Sequence, residues 1–190
     1  MPAHRRPGRI ATPAKNRGTS MLEILITMLI LAIGMLGLAS LQGRAHTSEL
    51  ESYQRGQALV LLQDMAGRIE GNLANAASYA PGAVGTGATD ALICTTFTSR
   101  AAVDLCEWSK ALKGSSETKG GTTIKQGAMI NGRGCVATTA VTDVYMVSVV
   151  WQGLTATVVP TTTCGQNSYD SEASRRAVTM MVRIPNLSGS

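Results

Sequence analysis

Among the residues of this 190-residue chain that could do chemistry, Glu23 has the most unusual setting. Its carboxylate heads ILITMLILAIGMLGLASLQG, residues 24–43, a run of twenty residues without a formal charge that ends at Arg44. A charge inside bilayer hydrocarbon costs about 2.5–3.5 kcal/mol at the centre on insertion scales and less near the interface, so a carboxylate kept there needs a partner. Other reactive side chains are sparse. The histidines are His4 and His46, so nothing beyond position 46 brings an imidazole to a triad, a general base or a metal site. That excludes most hydrolase and zinc-enzyme designs, and no catalytic residue, metal or cofactor is expected. Cysteines at 94, 106, 135 and 164 include no CxxC pair to clasp zinc or act as a redox dithiol. Asp90, Asp104, Asp143 and Asp170 lack calcium-loop spacing, and GAVGTGATD (82–90) has no following GK[ST] to make a phosphate loop. Arg175 and Arg176 read as a solvated pair ahead of a β-rich run rather than a ligand patch.

The segments around these residues decide their meaning. Lys and Arg number 17 against 12 Asp and Glu, a net charge of +5 and a pI near 9.3. Arg5, Arg6, Arg9, Lys15 and Arg17 precede the first acid, Glu23, so the excess lies wholly in the first 18 residues and the rest of the chain is neutral. A nucleic-acid partner would require a basic stripe on the folded domain, and none is expected. Hydrophobic content of 44% with 4% aromatics indicates a folded domain with an aliphatic core. As an α-helix, residues 24–43 extend about 30 Å, enough to cross a bilayer. A cleaved secretory signal has a shorter apolar stretch and an A-x-A-like exit, which Ala39, Ser40, Leu41 and Gln42 match poorly.

The basic leader, Gly18, the Glu five positions later and the apolar run together read KNRG/TSMLEILITMLILAIGMLGLASLQ. This resembles the type IV prepilin signal, in which a membrane peptidase cuts after the Gly and the new amino terminus is N-methylated. The resemblance implies cleavage between Gly18 and Thr19 by a prepilin peptidase, a mature chain of 172 residues, and N-methylation of Thr19, which stands where the family usually has Phe or Met. It also gives Glu23 its partner: in a filament of staggered parallel helices the carboxylate meets the α-amine of a neighbouring subunit. The leader then lies on the cytoplasmic side under the positive-inside rule. The chain is expected to be a single-pass protein of a bacterial inner membrane, its globular domain in the periplasm, later incorporated into a pilus at the tip or along the shaft.

AIGMLGLASLQGRA (32–45), with GRGCV, VSVVWQG, TCG and RRAVTMMVRI further on, is similar to the PilV group of minor pilins, the type IV pilus modification proteins. By that resemblance the chain primes, modifies or caps type IV pilus assembly and supports twitching motility. Its partners would be other minor pilins, the major pilin and a pilus-tip adhesin. A minor pseudopilin of a type II secretion system shares the signal and is the first alternative; a pilus-borne adhesin or DNA-binding module is the second.

The domain plan has a leader (1–18), a transmembrane half-helix (19–43), an amphipathic half-helix (44–80) and a globular α+β domain (81–190). Leu62, Met65, Ile69 and Leu73 form a helical stripe, which predicts a helix from about 20 to about 78, stopped at Pro81-Gly82. Residues 82–98 read as a flexible connection. A second helix is expected over Arg100–Lys113, with Ala101, Leu105, Trp108 and Leu112 on one side and Gly114 as its cap. Three β-rich runs follow, Cys135–Val141, Val144–Trp151 and Ala177–Ile184. Val144–Trp151 is apolar on both faces, as a central strand is, and Leu154–Val159 is a further extended run ended by Pro160. The fold class is α+β and pilin-like, a long N-terminal helix packed on an antiparallel sheet. Of three possible cysteine pairings, Cys94-Cys106 and Cys135-Cys164 close short or moderate loops, each worth roughly 3–4 kcal/mol in the chain-entropy model.

Overall fold

The computed structural model describes residues 19–80, 82–87, 93–114 and 129–185. The leader, with Gly18, and Pro81 lie outside the described residues, and no side chain is described for Thr19 or Ser20. Two compact units divide at His46/Thr47, inside helix α1, Thr19–Glu70. In the unit ending at His46, the helix leaves every large apolar side chain from Met21 to Leu41 exposed.

In the unit beginning at Thr47, α1 becomes amphipathic. Ala58, Leu62, Met65, Ala66 and Ile69 are buried at three- and four-residue spacing, as a helix laid on a core requires. The α-helix ends at Glu70, not near residue 78, and Leu73 is only half-buried. Gly71, a poor helix former, follows Glu70; Asn72 leaves helical geometry at φ −137°, and Leu73–Tyr79 continues as a 3-10 segment. Tyr79 ends that segment fully buried.

Helix α2, Arg100–Leu112, begins at Ser99, whose side chain accepts the Ala102 N–H at 3.2 Å. It ends where Gly114, at φ +69°, donates its N–H to the Ala111 carbonyl. Ala101, Leu105, Trp108 and Leu112 all face inward, and the Trp108 indole N–H donates to the Leu61 carbonyl of α1 at 2.8 Å. The Trp108 ring lies against Gly134, where a Cβ would sit 2.2 Å from a ring carbon, so the sheet must be bare at that point.

The sheet is fully antiparallel with order β1-β2-β3-β4: β1 Gly82–Gly85, β2 Arg133–Thr138, β3 Val144–Gln152 and β4 Arg175–Arg183. The architecture is therefore α+β and pilin-like, a long apolar N-terminal helix followed by a four-stranded antiparallel sheet. β3 is central, paired on both sides and almost wholly buried. Its Tyr145, Val147, Val149 and Trp151 join Val136 and Val182 in one core with the α1 stripe and α2.

Two further expectations, both about strands, fail in instructive places. Gly82–Gly85, read as part of a flexible connection, is a strand: it pairs with Arg133–Val136, and the Gly85 N–H donates to the Ser109 hydroxyl of α2 at 2.8 Å. Leu154–Val159, read as an extended apolar run, belongs to no strand; its side chains face water, Val158 at 89% exposure. The cysteines are bridged 94 to 106 and 135 to 164. The first bridge ties the turn at Cys94–Thr96 to α2. The second ties β2, the sheet's second strand rather than its first, to the long loop between β3 and β4.

Candidate assembly site

The N-terminal part of α1 has the composition of a membrane or bundle helix. It begins at Thr19, and Glu23 follows one turn later, exposed, with Met21, Leu22, Ile24 and Ile26 exposed around it. An 18-residue window of α1 reaches a mean hydropathy of 2.5, and none of it is buried. A helix apolar on all sides and left exposed, as this one is among the described residues, is stable in lipid or among similar helices, not in water. The polar atom of Thr27 is already satisfied within the helix, its hydroxyl donating to the Ile24 carbonyl at 2.8 Å, as hydrocarbon requires. The Glu23 carboxylate has no such internal solution among the hydrogen bonds and ion pairs of the described residues. The segment can therefore enter a bilayer, pack laterally against other helices, and present one anionic group to a cation supplied by a neighbour.

Two polar clusters fix the unit that begins at Thr47, and both contain residues the sequence did not single out. Glu51, on α1, accepts the backbone N–H groups of Leu154 and Thr155 at 3.0 and 3.1 Å and the Thr155 hydroxyl at 3.0 Å. It also pairs with the Arg176 guanidinium at 3.1 Å. Partial burial pushes the Glu51 carboxyl up, but the Thr155 hydroxyl and the Arg176 charge outweigh it and hold the group below the usual carboxylate range. Arg176 in turn donates to the Thr155 carbonyl at 2.7 Å and the Thr157 hydroxyl at 2.6 Å.

Arg175 and Arg176 are thus not a solvated pair. Arg175 is 1% exposed and bonds Glu172 at 2.7 Å and the carbonyls of Pro160, Thr162 and Cys164 at 3.3, 2.7 and 3.0 Å. A guanidinium offers five donors in a planar fork, and here they gather a loop whose carbonyls have no ladder to join. The two arginines and the Cys135–Cys164 bridge together pin the loop between β3 and β4.

The second cluster centres on Asp104, 1% exposed on α2. Its carboxylate accepts from Arg68 at 2.9 Å, from Arg100 at 3.0 Å and from the Tyr79 hydroxyl at 2.5 Å. Arg68 also reaches Asp64 at 3.0 Å and Glu107 at 2.7 Å. Burial opposes the Arg68 charge, but the bonds to Glu107, Asp64 and Asp104 prevail and hold its guanidinium more firmly protonated than usual. Burial, then the hydrogen bond to Asp104, pushes the Tyr79 phenol up. The network joins the end of α1, the 3-10 segment and α2. In the sequence its local signs are the Asp64/Arg68 and Arg100/Asp104 spacings, each of one helical turn. Among the described residues, no group of three or more His, Cys, Asp and Glu side chains is placed to hold a metal ion.

A family model described as the prokaryotic N-terminal methylation motif matches residues 13–39, spanning Gly18, Thr19, Glu23 and most of the apolar run. No curated protein and no solved structure matches the chain. The motif supports a pilin or pseudopilin, and it fits membrane anchoring through the apolar helix.

Proposed function

We propose that this chain is a minor pilin of the PilV group, a non-enzymatic subunit that primes, modifies or caps type IV pilus assembly with other minor pilins and the major pilin, and so supports twitching motility. The observation that carries the reading is the N-terminal methylation motif over residues 13–39, in which Glu23 heads an apolar helix that the described residues leave exposed. Prepilin peptidase cuts after Gly18, and Thr19 becomes the methylated amino terminus. The apolar half of α1 then holds the subunit in the inner membrane, with the disulfide-bonded domain on the periplasmic side. At assembly the Glu23 carboxylate meets the α-amine of an adjacent subunit. A charge pair in an apolar bundle holds only when both partners are present, since each alone leaves an uncompensated ion, so it sets both recruitment and register.

Deleting the gene tests this reading against the pseudopilin reading. Loss of surface pili and twitching with normal export of folded exoproteins supports the pilus role; the reverse pattern assigns the chain to a type II secretion machine. Gly18→Ala should block processing, seen as an unshifted precursor band in membrane blots. A normally shifted band would refute cleavage at this position.

A further inference from the structure

Among the described residues one edge of the sheet has no partner strand, a feature that the pilin reading does not use. β4 lies outermost in the order β1-β2-β3-β4, and its register to β3 pairs Val144 with Arg183 through Gln152 with Arg175. The Ile184 N–H donates to the Asp143 carbonyl and the Gly153 N–H to the Ser174 carbonyl, so the even-numbered residues of β4 direct their backbone groups to β3. Ala177, Thr179, Met181 and Arg183 therefore direct theirs outward.

Among the described residues the loop covers this edge only at its start. There the Thr157 N–H takes the Ala173 carbonyl, and Arg176 bonds Thr155 and Thr157. From Ala177 to Arg183 the outward groups have no backbone partner among the described residues. The usual protections of an edge, a proline, a bulge or a central inward-facing charge, are missing from this stretch. β1, the opposite edge, is four residues long and covered by α2 through the Ser109 bond.

The charges indicate what can pair there. Arg183 is exposed and forms no ion pair among the described residues, and Met181, 73% exposed, stands beside it on the outer face. A second copy is a poor partner. Antiparallel self-pairing centred on Thr179 sets Arg183 against Arg175, like charge against like charge. Sliding by two residues sets Arg183 against Ala177 and brings Pro185, which has no N–H, opposite Arg175, and Ala177–Arg183 holds no carboxylate to answer Arg183 in any register. We propose that the β4 edge from Ala177 to Arg183 is a strand-addition site for an extended segment of a different subunit, carrying an apolar side chain beside Met181 and a carboxylate beside Arg183. Main-chain bonds supply the affinity and the two side chains the choice of partner. The inference rests on the reading that this chain joins a multi-subunit filament.

Hydrogen exchange on the full-length processed chain tests it, in detergent micelles and in purified filaments. Exchange at the Thr179, Met181 and Arg183 amides should slow by about tenfold or more on assembly, while the β3-facing amides are protected in both states. Thr179→Pro removes one outward N–H without touching the β3 ladder. It should be processed, melt close to the unaltered chain, and lose about nine-tenths of its filament incorporation. Arg183→Glu should be depleted from filaments and Arg183→Lys retained. Chain present in filaments with unprotected edge amides overturns this inference and leaves the pilin reading standing. Thr179→Cys disulfide dimers of the chain with itself overturn it in favour of self-pairing. A processed chain found in no filament overturns both.

Discussion

Glu23→Ala should be cut by prepilin peptidase as efficiently as the unaltered chain and then fail to enter filaments, its amount in sheared pili falling by at least about tenfold. The expectation follows from what surrounds the carboxylate. Apart from Glu23, every large side chain from Met21 to Leu41 is apolar, and all of these are exposed, so in a bundle of such helices the medium around Glu23 is hydrocarbon. Removing one member of a buried ion pair typically costs about 3–5 kcal/mol because the other is stranded, and tenfold needs only about 1.4 kcal/mol. Glu23→Gln keeps the shape and a hydrogen-bonding oxygen but not the charge, and should fall between the two. The comparison is read by blotting membrane and pilus fractions of one strain. Equal incorporation of Glu23→Ala would show that the carboxylate is incidental.

The largest effect on the folded unit is expected from Asp104→Ala. The carboxylate is buried and answers two guanidinium groups and one phenol, and its loss leaves all three facing a small apolar side chain. A cost of about 3–5 kcal/mol is the usual consequence of breaking such a pair from one side, and in a unit of this size it lowers the melting temperature by on the order of 10 °C. Tyr79→Phe removes only one of the bonds and should cost about 1 kcal/mol. Thermal unfolding followed by near-ultraviolet circular dichroism distinguishes them. Equal melting points for Asp104→Ala and the unaltered chain would mean that the Arg68 and Arg100 charges find water instead.

What the sequence made legible were features whose cause is local. The uncharged run after Glu23, the three- and four-residue rhythm of Leu62, Met65 and Ile69, the spacing of Ala101, Leu105, Trp108 and Leu112, and the two-sided apolar pattern of Val144–Trp151 each follow from one element facing one environment. What escaped depends on distant partners. GAVG at 82–85 has no strand rhythm of its own and becomes β1 because β2 and Ser109 supply its hydrogen bonds. Arg175 and Arg176 look like surface charges until the loop carbonyls and Glu51 surround them; Glu51 and Thr155 are 104 positions apart. Leu154–Val159 has strand-forming composition, yet Glu51 takes the N–H groups of its first two residues and its apolar side chains stay in water. α1 stops at Glu70 because Gly71 and Asn72 weaken the helix where Tyr79 must reach the Asp104 network.

The most direct test of the account is the amino-terminal sequence and mass of this chain recovered from sheared, washed pili. The account predicts a chain beginning at Thr19, carrying one N-methyl group, present in the pilus fraction and lost from it in Glu23→Ala. A chain that still begins at Met1, or one processed at Thr19 but confined to membranes while pili form normally without it, would contradict the account.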